Sequence, residues 1–402
     1  MKKMLLLGGS AQQVVAIETA KRLGLYTVLC DYLPDNPGQY HADRFYLTST
    51  TDREAVLRVA REEAVDYVIA YASDPAAPTA AFVAERLGLP TNPLEAVEIL
   101  CNKDRFRDFL RDHGFSTPAA RGFGDPEEAL AYGETAELPV IVKPVDSSGS
   151  KGATVVRDRA SLPGAVDFAF SFSRSRRIVV ETFVEKKHPY LIGGDIFVSD
   201  GRVVQWGLMN CHRDSTVNPL VPVGKSYPPL LEDADLRAVK DTLQRLVTKL
   251  GIRFGPMNVE LVADAKGRVY PIDIGPRSGG NMIPDLLGMI FGCDVVEMSV
   301  RAAMGEPVAP PAGEGRPYFA THNLHADRDG VLRSIRFSPE IEPFIVRKNI
   351  YHQPGDPVRR FTNASFALGI VFFRFDSAER MHGMLQRIND LIRIEVTEEQ
   401  GA

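Results

Sequence analysis

Between Met4 and Leu87, short apolar runs alternate with amphipathic stretches, and this alternation restricts the start of the chain to one architecture. Met4–Leu7 reads as a buried strand, and Gln12–Leu23 as a helix with apolar positions at helical spacing. Tyr26–Cys30 is a second strand running into Asp31. A charged helix over Arg53–Glu63 leads to a third strand, Asp66–Tyr71, and a helix over Pro78–Leu87 stops at Gly88. Strands separated by helices run parallel, so a doubly wound α/β domain is expected over residues 1–93, closed by Pro90–Pro93.

Beyond that boundary the pattern changes. Helices are expected at Leu94–Leu100 and Asp104–His113, followed by strands at Val140–Lys143, Thr154–Val156, Arg177–Glu181, Asp195–Val198, Val203–Leu208, Met257–Val262 and Val269–Ile274. Asp200-Gly201 and Lys266-Gly267 are hairpin turns, which make the sheets mostly antiparallel. A helix over Asp294–Met304 ends at Gly305, Pro307–Gly315 is a linker, and strands plus a helix form a mixed C-terminal part. The expected layout is α/β followed by α+β. It comprises 1–93, a central domain 94–305 with subdomains 94–183 and 184–305, and a C-terminal α+β domain 306–402.

With 402 residues, of which 44% are hydrophobic, the chain can bury more than one core without disulfides or a structural metal. A net charge of −5 argues against a nucleic-acid partner, because a phosphate backbone selects a basic field. The apolar run after Lys3 is too short for a signal segment, and no stretch is long enough for a membrane helix. Cys30, Cys101, Cys211 and Cys293 lie far apart, as expected for reduced thiols in a cytoplasmic protein.

The segment Lys143-Pro-Val-Asp-Ser-Ser-Gly-Ser-Lys-Gly-Ala-Thr lies between two expected strands. Its Gly149, Gly152 and serines can turn several backbone N–H groups toward one anion, and Lys143 adds a positive charge. Taken alone, it also reads as a solvated Ser/Gly hairpin. Farther along, Met257-Asn-Val-Glu260 and Tyr270-Pro-Ile-Asp273 occupy two arms of one hairpin, with Arg277 following. Both acids sit among apolar residues, where an ionised carboxylate needs a partner. Two carboxylates on adjacent strands suit a hard divalent cation that also bridges phosphate oxygens, and Arg277 suits charge on a transferring phosphoryl group.

In this order, together with Asn102-Lys103 and Glu181-Thr-Phe-Val184, these motifs resemble the ATP-grasp superfamily across most of the chain. The resemblance implies that Lys103 and Lys143 contact nucleotide phosphates and that Ser147, Ser148, Gly149, Ser150 and Gly152 close over them. It implies that Glu181, Phe183 and Val184 line the adenine slot and that Glu260 and Asp273 ligate Mg²⁺, with Mn²⁺ as the alternative. Arg277 would hold the phosphoryl group. The family's second acid is usually Glu, followed two residues later by Asn. Asp273 and Gly275 stand there, so one ion is expected and a second loses a side-chain ligand. Lys186-Lys187-His188 replaces a common Gly-x-Glu, which leaves Glu185 to substitute at the ribose.

The implied reaction activates a carboxylate as an acyl phosphate and couples it to an amine, with no nucleophilic side chain. Its partners would be small molecules rather than nucleic acid or membrane, and relatives often form homodimers. Two alternatives stand: a bicarbonate-activating carboxylase or carbamoyl-phosphate type enzyme, and a nucleotide-binding protein without catalysis. The first is disfavoured by the lack of a Met-Lys-Met carrier segment and of a duplicated half. For the acceptor side, Asn210–Pro219 reads as a polar loop in which Arg213 could pair a substrate carboxylate. Ser278, Gly279, Gly280 and Asn281 continue from Arg277, with the N–H groups of Gly279 and Gly280 expected to face the acyl intermediate. Ser10 and Gln12, in the turn after the first strand, are further substrate candidates, and Asp31 reads as a turn residue. His322 and His325 fall in an expected strand, where an offset of three places them on opposite faces rather than around a metal.

Overall fold

A computed structural model describes residues 1–309 and 311–397. Pro310 of the expected linker and the last five residues of the expected C-terminal domain lie outside the described residues.

The N-terminal unit follows its sequence pattern. Strands β1 (Lys3–Leu7), β2 (Tyr26–Asp31), β3 (Arg44–Leu47) and β4 (Tyr67–Ile69) form a parallel sheet in the order β3-β2-β1-β4. Helices α1 (Val14–Arg22), α2 (Arg53–Glu62) and α3 (Ala77–Leu87) cover it, and α3 ends on Gly88 in the left-handed conformation. The buried apolar faces of β1 and β2 pack on these helices in two clusters, one on each side of the sheet.

Helices α4 (Leu94–Leu100) and α5 (Lys103–Asp112) come next. Asn102 caps α5 by accepting the Arg105 N–H. A small antiparallel sheet then forms from β5 (Ala120–Phe123), β6 (Val140–Pro144), β7 (Thr154–Val156) and β8 (Ile178–Thr182), in the order β5-β8-β6-β7. It is backed by helices α6 (Pro126–Thr135) and α7 (Leu162–Phe172).

The large sheet begins with β9 (Leu191–Ser199), β10 (Arg202–Asp214) and β11 (Asn218–Tyr227). After helix α8 (Asp233–Leu250) it continues with β12 (Gly255–Ala263) and β13 (Val269–Gly275). Helices α9 (Ile283–Phe291) and α10 (Val295–Ala303) precede the C-terminal strands β14 (Phe319–Leu324), β15 (Gly330–Phe337), β16 (Ile345–Ile350), β17 (Pro357–Val358), β18 (Gly369–Arg374) and β19 (Ile392–Thr397). β14, β18 and β16 extend the same sheet, whose order is β13-β12-β9-β10-β11-β14-β18-β16. The sheet therefore crosses the boundary expected near residue 305, because β11 pairs with β14 over a long sequence separation.

The expected 94–183 subdomain also divides differently in the packing. Ala96, Leu100, Phe106 and Leu110 of α4 and α5 share a core with α8, β9, β12 and β13, rather than with the small sheet. Those two helices bring Lys103 to the base of the cleft between the small and large sheets.

Candidate active site

A cavity of about 930 Å³ lies between the two sheets. Its walls include Lys103, Lys143, Ser147, Ser150, Glu181, Phe183, Val184, Glu185, Arg213, Glu260 and Asp273, so most of the nucleotide and metal candidates converge on one space. Lys143 rises from β6 and Glu181 from the adjacent β8, where their buried charges meet at 2.5 Å. Arg107 of α5 approaches Glu181 from the other side, with Nε 2.8 Å from Oε2 and Nη2 donating to the Ile272 carbonyl at 2.7 Å. One guanidinium thus ties α5, the small sheet and β13 together, one residue before Asp273. Burial opposes the Glu181 charge, but Arg107 and Lys143 outweigh it and hold the carboxyl at about 2. Burial also pulls Lys143 below its usual value, against the attraction of Glu181.

Lys103, in the first turn of α5, donates to the Ser147 carbonyl at 2.6 Å and lies 3.8 Å from Asp273 Oδ1. This fastens one end of the glycine-rich loop to the acid hairpin. Gly149, Ser150 and Gly152 all take positive φ, which curls the loop, and the Ser150 hydroxyl reaches the Leu220 carbonyl on β11 at 2.9 Å. Ser148, Gly149 and Gly152 belong to the same loop, although they are not among the cavity-lining residues.

Glu260 and Asp273 face each other as direct cross-strand partners on β12 and β13. Arg213 bonds the Glu260 carboxylate and keeps it ionised below its usual range despite burial. Their oxygens suit a hard cation. Among the described residues no cluster of three or more His, Cys, Asp or Glu side chains could hold a metal, so further ligands would come from phosphate and water. Arg213 Nε and Nη1 are buried with no hydrogen-bond partner.

Arg213 corrects an expectation. Asn210–Arg213 belongs to β10 rather than to a loop, because it pairs with β11 and its Asn210 amide reaches Ser226 across the strands at 3.0 Å. A second correction concerns the stretch after Arg277. The Gly279 N–H, expected to face an acyl group, donates to the buried carboxylate of Asp195 at 2.7 Å. Ser278 is buried with its hydroxyl 3.3 Å from Ser299, while the Asn281 N–H meets the Gln12 side chain at 3.0 Å. Ser10 is exposed and bonds Gln13, and Gly280 lies near Gln12. Asp31 accepts the Gly9 and Leu33 N–H groups, as expected of a turn residue. The two histidines also depart from expectation: β14 ends at Leu324, and the chain turn brings the His322 and His325 rings to 5.4 Å.

Arg277 points away from the large cavity, toward the N-terminal unit. Its Nε lies 2.7 Å from Asp74 Oδ1, and its Nη2 bonds the other oxygen. This pair explains the Gly275 departure, since a Cβ at Gly275 would lie 2.4 Å from the Asp74 carboxylate. Arg107, Asp195 and the pairing role of Asp74 were not singled out from the sequence. Two signals were available: Arg107 follows Lys103 by one helical turn, and Asp195 is a lone charge in an apolar strand.

A family model described as carbamoyl-phosphate synthase L chain, ATP binding domain, matches residues 102–310. The chain belongs to this family of ATP-grasp ligases. The matched stretch of the ATP-grasp chain contains Lys103, the loop and the acid hairpin. Over 98% of its length the full chain is 25% identical to a formate-dependent phosphoribosylglycinamide formyltransferase of Methanocaldococcus jannaschii, 97% of which is covered. It is also 27% identical, over 76% of its length, to the uncharacterized protein y4rH of Sinorhizobium fredii, and spans only 63% of that protein. Its fold matches an L-amino acid ligase from Bacillus licheniformis with a TM-score of 0.81, covering 99% of both chains at 23% identity. Among the described residues no helix is long and apolar enough to cross a membrane.

Proposed function

We propose that this chain uses ATP to phosphorylate a small carboxylate and transfers the resulting acyl group to an amine, releasing ADP and phosphate. The observation that carries this reading is the cavity itself, where the Lys143 loop and the Glu260–Asp273 hairpin face each other across one space. The name of the M. jannaschii relative, a formate-dependent formyltransferase, pairs a small carboxylate with transfer of its acyl group, which supports this reading.

In this reading Lys103, Lys143 and the loop from Ser147 to Gly152 hold the triphosphate, and Phe183, Val184 and Glu185 border the base and ribose. Glu260 and Asp273 would hold one Mg²⁺, which when bound neutralises charge on the phosphate oxygens. Arg213, bound to Glu260 through Nη2, offers its partnerless Nε and Nη1 as separate donors to substrate oxygens. Arg277, held by Asp74, would border the acceptor side with Gly280, Asn281 and Ser10, while Ser278 and Gly279 anchor the segment beneath them. Positioning supplies much of the rate, since oriented reactants account for roughly 7–11 kcal/mol of a barrier. A homodimer through the N-terminal unit fits the exposed Tyr40 and Leu47 beside edge strand β3, and sedimentation of the pure protein tests it.

ADP release across panels of carboxylates and amines, with Glu260→Ala in parallel, tests the function. Release that requires both substrates and is lost in the variant is expected. ATP binding without ADP release for any pair would remove the proposal.

A further inference from the structure

We propose that Cys211 and Lys225 form a modification site at which hydrogen peroxide joins the two side chains through one oxygen, as Sγ–O–Nζ. The two residues are direct cross-strand partners on β10 and β11. Lysine Nζ lies 2.6 Å from the cysteine Sγ, well inside the roughly 3.5 Å at which non-bonded heavy atoms rest. A separation this short suits two atoms sharing one bridging oxygen. The neighbouring strand leaves room for the pair, because a Cβ at Gly193 would lie 2.4 Å from Sγ and 3.1 Å from Nζ. Among the described residues no carboxylate lies within ion-pair distance of Lys225, so no strong partner holds it away from the thiol.

Cys211 is buried, yet it lines the 930 Å³ cavity, which gives a small oxidant its route. The other cysteines offer no comparable arrangement. Burial pushes the Cys30 thiol up to about 12 and also raises Cys101 and Cys293, which keeps all three protonated and slow to react.

The chemistry balances with two equivalents of peroxide. The first converts the thiol to a sulfenic acid: S–H gives way to S–OH, and water leaves. The second closes an N–O bond onto that oxygen: one amine hydrogen and the sulfenic hydrogen depart, and the peroxide O–O bond breaks to give two waters. The sum is Cys–SH + Lys–NH₂ + 2 H₂O₂ → Cys–S–O–NH–Lys + 3 H₂O, with the ammonium proton released to solvent. Two equivalents of a dithiol return the four electrons and restore both side chains. The bridge would tie the strand carrying Arg213 to the strand whose Leu220 carbonyl holds Ser150 of the glycine-rich loop.

The test is peroxide treatment of the full chain, followed by proteolysis without reductant and mass spectrometry. A cross-linked peptide pair containing Cys211 and Lys225, about 14 Da heavier than its two parts and lost on dithiothreitol treatment, is expected. Lys225→Gln and Cys211→Ser should each abolish that species, and unchanged melting curves show that the variants fold. The proposal is overturned by a wild-type protein whose methionines oxidise while Cys211 and Lys225 stay unlinked. It is equally overturned if Cys211 alone gains oxygen, or if the linked pair is about 2 Da lighter, which marks a direct S–N bond.

Discussion

Asp74 and Arg277 meet side-on across the junction between the N-terminal unit and the large sheet, with Nε 2.7 Å from Oδ1. The pair fills the space that a side chain at Gly275 would need. Gly275→Asn, which installs the residue more usual in the family, should therefore destabilise the protein by about 1–3 kcal/mol through overpacking. In an Asp74→Ala background the same change should cost less, because only Arg277, at 3.2 Å and beyond, still crowds that Cβ. Melting curves of the four proteins decide it, and strictly additive losses would show that the two positions do not compete for space.

Glu181 carries a pH prediction. Its carboxyl falls from an ordinary 4.5 to about 2 in the fold, so its contribution is complete above 4.5 and lost as pH drops toward 2. Glu181→Gln should be less stable at neutral pH, because Arg107 and Lys143 lose a buried counter-charge, and should show a flatter acid limb. Urea unfolding at stepped pH measures both effects.

Asp195 has the opposite sign. Burial lifts its carboxyl from 3.8 to about 6, against the Gly279 N–H, the Asn258 amide and Arg277. The folded protein thus keeps a proton that the unfolded chain has released, so stability from this group falls as pH rises from 3.8 to about 6. Asp195→Asn should remove that slope. It should also lower kcat by about tenfold or more while leaving the KM for ATP unchanged. One amide oxygen cannot accept from both the Gly279 N–H and the Asn258 amide, which loosens the segment after Arg277. An altered KM for ATP with normal kcat would contradict this positioning role.

Arg213 should act on substrate affinity. Arg213→Lys keeps a charge near Glu260 but removes the Nε and Nη1 donors, so KM for the carboxylate should rise about 10- to 100-fold. Steady-state kinetics with the carboxylate varied would show it, and a change confined to ATP would reassign the residue to the nucleotide.

What the sequence shows depends on how local each signal is. Helix α4 has the expected bounds, and β6, β7, β12 and β13 lie within a residue or two of theirs, because apolar periodicity and turn residues are short-range. Glu260 and Asp273 stood out as charges in apolar strands for the same reason. The union of β11 with β14 depends on a pairing between distant segments that no local pattern reports. Arg107 looked like one more charge in Lys103–Asp112, and only the fold buries it against Glu181. The Gly279 N–H appeared free for substrate until Asp195, far away in sequence, proved to hold it.

The proposed reaction requires a phosphoryl group to pass from ATP to a carboxylate in the cavity between the two sheets. The most direct measurement supplies a carboxylate labelled with heavy oxygen, the matching amine and ATP, then weighs the phosphate released. Each phosphate is expected to carry one labelled oxygen from the carboxylate, with ADP as the other product and no transfer in Glu260→Ala. Unlabelled phosphate, or AMP and pyrophosphate in place of ADP, would contradict it.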